Sequence, residues 1–88
     1  ISVSPPDEEG FCTLGISVDV VKAATQSARL VIAEVNRHMP RTNGDSKIHL
    51  NEIDALVEND APLLEWQARD VGDVAEKIAK HVARLVPD

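Results

Sequence analysis

The sequence predicts an α/β domain, a mostly parallel sheet flanked by helices. Three observations lead there. Short alternating or β-branched runs, "ISVS", "LVIAEV" and "KIHL", are separated by stretches whose apolar residues recur at helical spacing. The run "LVIAEV" is apolar almost throughout, which suits a strand covered on both faces, as in parallel sheets. Polar, turn-forming segments directly follow the first two of these strand candidates, the rhythm of α/β folds.

Each element has its own local reason. Ile1–Val3 alternates as a strand does, and the following Ser4-Pro5-Pro6-Asp7-Glu8-Glu9-Gly10 is a loop, because paired prolines remove backbone donors and disfavour helix before them. In "GFCTLG" the glycines Gly10 and Gly15 relieve tight turns. Ser17 or Asp19 is placed to cap a helix whose Val20, Val21, Ala24 and Ala28 share one face.

Leu30–Val35 could extend that stripe through Val31 and Val35, but its β-branched residues and continuous apolar run favour a buried strand. Lys47–Leu50 is a half-buried strand with Ile48 and Leu50 on one side and Lys47 and His49 on the other. Asn51 can cap a helical turn through Asp54, and Ala55–Val57 is a further strand. The last helix, Val71–Val86, keeps Val71, Val74, Ala75, Ile78, Val82 and Leu85 in register. Asp70 and Asp73 lie at its start, Lys80, His81 and Arg84 near its end, and Pro87 stops it. Ile1–Val3, Leu30–Val35 and Lys47–Leu50 are expected in one sheet. A strand at the first residue leads us to expect that residues 1–88 are a piece of one domain of a larger protein, with sheet partners outside it.

Composition narrows the function. With 88 residues the chain makes at most one domain, and 43% hydrophobic and 27% charged residues are globular proportions. Fifteen acidic against nine basic residues give a formal charge of −6, the basic residues are scattered, and aromatics are 2% of the chain. Nucleic acid is therefore not an expected partner. No stretch approaches the length of a membrane span, and the single cysteine, Cys12, has no internal disulfide partner, so a soluble, cytoplasmic protein is expected.

Most candidate motifs have plain structural readings. The spacing of Gly10 and Gly15 is that of a phosphate loop, but the pair that follows is Ile16-Ser17, so no lysine reaches a phosphate. Cys12 has no base nearby in sequence to activate it and reads as a small, partly buried residue. His38, His49 and His81 show no paired metal-ligand spacing, so no metal site is expected. "PRTNGDS" is richer: Asn43-Gly44 makes a tight turn, Arg41 is a forked donor for carboxylate or phosphate, and Asp45 could hold that arginine or cap a neighbouring loop. Spacing alone leaves a self-bonded surface turn equally open.

Two long stretches in order, "SPPDEEGFCTLG" and "VNRHMPRTNGDSKIHLNEID", resemble the acetyl-CoA hydrolase and CoA-transferase family, which includes 4-hydroxybutyrate and succinyl-CoA:acetate CoA-transferases. The residues that carry the resemblance are Ser4, Pro5, Pro6, Asp7, Gly10 and Gly15, then Met39, Pro40, Arg41, Thr42, Gly44, Asp45, Ser46, Ile48 and His49. The resemblance implies a fragment of the family's N-terminal domain. It implies an enzyme that moves coenzyme A between small carboxylic acids through a glutamate nucleophile, with acyl-CoA as substrate and no covalently bound cofactor. In the family that glutamate lies well downstream. None of Glu8, Glu9, Glu34, Glu52, Glu58, Glu65 or Glu76 matches it, so no catalytic residue is assigned within the chain.

Ser4, Asp7, Met39, Arg41, Asp45 and His49 are expected to border a substrate pocket. The remainder of the parent chain and a second parent copy, as a homodimer, are the implied partners. The alternative is a stand-alone, acidic, non-enzymatic interaction module that keeps the family motifs. A reading frame that continues past Asp88 into a glycine-rich segment and a catalytic glutamate favours the first, and a stop codon there the second.

Overall fold

A computed structural model describes residues 1–87. Its elements, in chain order, are β1 (Ser2–Val3), β2 (Phe11–Thr13), α1 (Val21–Ser27), β3 (Ile32–Val35), β4 (Lys47–His49), a 3-10 turn (Leu50–Glu52), β5 (Ala55–Glu58) and α2 (Asp73–Ala83). The α/β class holds. The sheet composition differs from expectation in one strand.

β1, β3 and β5 form a parallel sheet in that spatial order, with Val3 beside Val35 and Ala33 beside Leu56. Lys47–Leu50 does not join it. β4 pairs antiparallel with β2 in a separate ribbon, Cys12 opposite Ile48. The partner, Phe11–Thr13, falls within a stretch read from sequence as turns alone. Both glycines do adopt left-handed backbone, Gly10 at φ +84° and Gly15 at φ +59°. Between them the chain extends: Cys12 pairs with Ile48 of β4, while the Phe11 and Thr13 N–H groups are taken by Asp7 Oδ1 and Ser4 Oγ of the first loop.

Strand alternation puts Val3, Ala33 and Val35 on one face of the parallel sheet, where they meet the ribbon. Val3, Cys12, Leu14, Ala33 and Ile48 are the buried core, with Val18, Val21, Leu50 and Ile53 packed around it. The other face carries Ile32 and Val57, each about half exposed.

Three helix boundaries differ from expectation. Neither Ser17 nor Asp19 caps α1: the backbone first makes two tight turns, Ser17 N–H to Leu14 O at 3.1 Å and Val21 N–H to Val18 O at 2.9 Å, and the N-cap is Val20 without a side-chain bond. The turn after β4 is capped by His49 instead of Asn51. α2 is shorter than Val71–Val86: Gly72 is extended at the N-cap, and tight turns from Leu85 and Val86 close its end before Pro87. Asp73 and Glu76 in its first turn and Lys80 and His81 in its last suit the helix dipole. Its apolar stripe stands exposed, from 54% at Val82 to 72% at Val74. No helix among the described residues is long and apolar enough to cross a membrane.

Candidate functional site

Parallel strands all end on the same edge of their sheet, and there β1 leads into Ser4–Gly10, β3 into Asn36–Ser46, and β5 into Asn59 and Asp60. Between these loops lies a depression of about 140 Å3, lined by Pro5, Pro6, Val35, Arg37, Glu58 and Asp60. Open α/β sheets bind ligands along this edge.

The first loop is organised by Asp7. Its Oδ1 accepts the N–H groups of Phe11 at 2.8 Å and Glu9 at 3.0 Å, and Oδ2 pairs with the Arg41 guanidinium. Arg41 also donates from Nη1 to the Phe11 carbonyl at 3.1 Å. The Phe11 amide, followed by the Arg41 charge and the Glu9 amide, holds the Asp7 carboxyl below its ordinary value against an opposing burial effect. The Arg41–Asp45 pair expected from "PRTNGDS" does not form. Asp45, with a side chain 92% exposed, pairs instead with Lys22 of α1. Gly44 at φ +83° keeps the expected turn, with Asp45 paired to Lys22 and Arg41 to Asp7.

Beneath this tie lies a buried hydroxyl chain. Ser4 Oγ accepts the Thr13 N–H at 2.9 Å and lies 3.0 Å from Thr13 Oγ1, which accepts the Thr42 N–H at 3.2 Å. Thr42 Oγ1 reaches Ser46 Oγ at 3.0 Å and the Gly15 carbonyl at 3.2 Å. Ser4, Thr13 and Ser46 are all nearly inaccessible to solvent. The chain therefore locks the end of β1 to the ribbon and to the second loop.

Asn36 starts that second loop. It is buried, donates from Nδ2 to the Ala61 carbonyl at 2.8 Å, and accepts the His38 N–H at 2.9 Å on Oδ1. Arg37 then turns outward, with Nε 3.5 Å from Asp60.

The six residues expected at a pocket border thus divide. Asp7 and Arg41 join the two loops. Ser4 and Met39 lie below the surface, Met39 against Gly15, where an added Cβ would sit 2.5 Å from its Cγ. His49 is engaged on both ring nitrogens, and Asp45 faces solvent. None of the six lines the depression itself. Cys12 is fully buried, and burial pushes its thiol up, away from the thiolate a nucleophile needs. Sequence reasoning did not single out Thr13 or Asn36 for the site. For Asn36 there was a signal: an amide directly after a buried strand is well suited to close a turn.

Residues 1–65 match the model of the acetyl-CoA hydrolase/transferase N-terminal domain. The chain belongs to this family. It is 52% identical over its whole length to the 4-hydroxybutyrate coenzyme A transferase of Clostridium kluyveri, and 42% identical to the succinyl-CoA:acetate/propanoyl-CoA:succinate CoA transferase of Fasciola hepatica. It spans about a fifth of these relatives, 20% of the first and 19% of the second. Among solved structures, RipA from Yersinia pestis superposes with a TM-score of 0.93 at 43% identity over 99% of this chain and 20% of its own. The 4-hydroxybutyrate CoA-transferase from Porphyromonas gingivalis does so with a TM-score of 0.72, also at 43% identity, over 74% of this chain and 17% of its own. The family assignment agrees with the two quoted stretches, and the first structural match spans α2 as well as both sheets.

Proposed function

We propose that the chain is part of one α/β domain of an acyl-CoA hydrolase or CoA-transferase that moves coenzyme A between small carboxylic acids. Its own contribution is one wall of the substrate crevice. The family chemistry uses a glutamate that attacks the thioester carbonyl, expels CoA as thiolate and leaves an enzyme-bound anhydride. CoA thiolate then converts the anhydride to an enzyme-CoA thioester, with release of the carboxylate. No glutamate of this chain matches that nucleophile, so residues 1–88 alone are inactive in this reading, and catalysis needs the rest of a longer protein, acting as a cytoplasmic homodimer.

One observation carries the proposal: the Asp7–Arg41 tie fastens together the two stretches characteristic of the family, at the edge of the sheet where α/β folds bind ligands. An isolated exposed ion pair would contribute little. This one is different, because Asp7 simultaneously holds two loop amides and Arg41 a strand carbonyl, so its loss frees the base of the first loop. Ser4 and Met39 support the wall from beneath, while Asp45 and His49 flank it.

Two experiments test this. Incubating the 88-residue chain with acetyl-CoA and acetate or succinate should give no thioester loss, and turnover abolished by replacing one of its own glutamates would overturn the reading. In the full-length protein, Arg41→Ala should lower kcat/KM roughly ten- to hundredfold, as expected when a charge-assisted contact serving the transition state is removed. Unchanged kinetics would take the loop out of the functional account.

A further inference from the structure

His49 closes β4 and is engaged on every side. Its Nδ1 accepts the Asn51 N–H at 3.1 Å, which requires that nitrogen to be unprotonated and assigns the ring proton to Nε2. Nε2 lies 3.0 Å from the Glu9 carbonyl, to which it donates. The Glu52 carboxylate accepts the backbone N–H of His49 at 2.9 Å, and the ring meets Phe11 edge-on at 4.8 Å between centroids. The fit at the loop tip is close: a Cβ on Gly10 would stand 3.0 Å from Nε2, so only glycine lets the tip approach the imidazole without displacing it. The Leu50 N–H adds a bond to the Gly10 carbonyl at 3.0 Å.

The first loop is thus fastened at two separate points. Arg41 holds its base through Asp7 and Phe11, and His49 holds its tip through Glu9. The same loop supplies Pro5 and Pro6 to the crevice. With both ring nitrogens occupied, the imidazole has none left for a substrate.

We propose that His49 is a positioning residue of the crevice: in its neutral Nε2–H tautomer it latches the tip of the first loop to the end of β4 and thereby fixes the wall that faces the acyl-CoA. The assignment rests on the CoA-transferase reading for its effect on turnover, but not for the latch itself. It gives His49 an indirect role at the pocket border, and it couples the cap of the 3-10 turn to the conformation of a loop 40 residues earlier in the chain.

Two isosteres separate the two functions of the ring. His49→Gln places an amide donor near the position of Nε2 and keeps the reach to Glu9, while His49→Asn places an acceptor near Nδ1 and keeps the cap of the 3-10 turn. In the full-length protein, amide hydrogen exchange of Gly10 and Phe11 should stay near wild type in His49→Gln and speed up roughly five- to tenfold in His49→Asn, the effect of losing about one hydrogen bond. With acetyl-CoA and a carboxylate acceptor, KM for acyl-CoA should rise in His49→Asn with kcat little changed, and His49→Gln should restore it.

Loop exchange at the wild-type rate in His49→Asn, or a His49→Gln variant as loose as His49→Asn, would overturn the latch. The latch would also fall if imidazole nitrogen NMR of the wild-type protein found the proton on Nδ1, a measurement independent of whether either variant folds. Altered loop exchange with no acyl-CoA turnover in any form would instead leave the latch standing and overturn the proposed function.

Discussion

Replacing Ser4 by alanine removes one oxygen from the buried hydroxyl chain. Ser4 is 1% exposed and Thr13 is 0% exposed, so water cannot take the vacated place at the Thr13 amide without opening the structure. Thr13 Oγ1 keeps its bonds to the Thr42 N–H and the Pro40 carbonyl, but the Thr13 N–H, which donates to Ser4 Oγ at 2.9 Å, loses its partner. One orphaned buried donor costs about 1–3 kcal/mol. Losing the hydroxyl itself is nearly neutral by comparison, since its own desolvation is also removed. Urea unfolding of the 88-residue chain, followed by far-ultraviolet circular dichroism, reads this directly as a lower midpoint at constant slope. Ser27→Ala is the control. That hydroxyl is exposed and, among the described residues, bonds only the Ala23 carbonyl of its own helix, so the change should stay within about 0.5 kcal/mol. A Ser4→Ala chain as stable as the control would refute the argument that the hydroxyl chain fastens β1 to the ribbon.

Further outcomes follow from the same geometry. Gly15→Ala should destabilise by about 2–4 kcal/mol, from a left-handed φ of +59° and overlap with Met39, and a crystal structure should show Met39 displaced. Because the folded Asp7 carboxyl titrates below its ordinary value of 3.8, it contributes stability above that pH that is lost as pH falls toward the lower folded value. Asp7→Asn should therefore flatten the acid limb of a stability-against-pH curve below about pH 4. The Cys12 thiol should react with a disulfide reagent only at the rate of unfolding, since burial both hides it and disfavours thiolate. Asp45→Ala should leave the kinetics of the full-length protein unchanged, because its ion pair with Lys22 is exposed.

What could be read from the sequence was what depends on neighbours in the chain. A β-branched run announced β3, the glycines their left-handed turns, and the charge order of α2 its dipole, whereas β5 has Val57 as its one β-branched residue and propensity decided little there. The ribbon was hidden because β2 is three residues long, too short to show any period, and its partner lies more than 30 residues away. The same distance explains the error at Arg41. Asp45 is four residues from it, Asp7 is 34, and proximity in sequence favoured the wrong carboxylate. His49 read as a residue facing outward from a half-buried strand, and only the return of the first loop reveals what its imidazole holds.

The most direct test of the account is a double-mutant cycle on Asp7 and Arg41 in the full-length protein, with kcat/KM for acyl-CoA and a carboxylate acceptor as the measured quantity. If their tie shapes the crevice, Asp7→Ala and Arg41→Ala should each lower kcat/KM roughly ten- to hundredfold, and the double variant should be no worse than the poorer single one. Losses that simply multiply, or singles indistinguishable from wild type, would contradict the claim that these two residues act together to build the site.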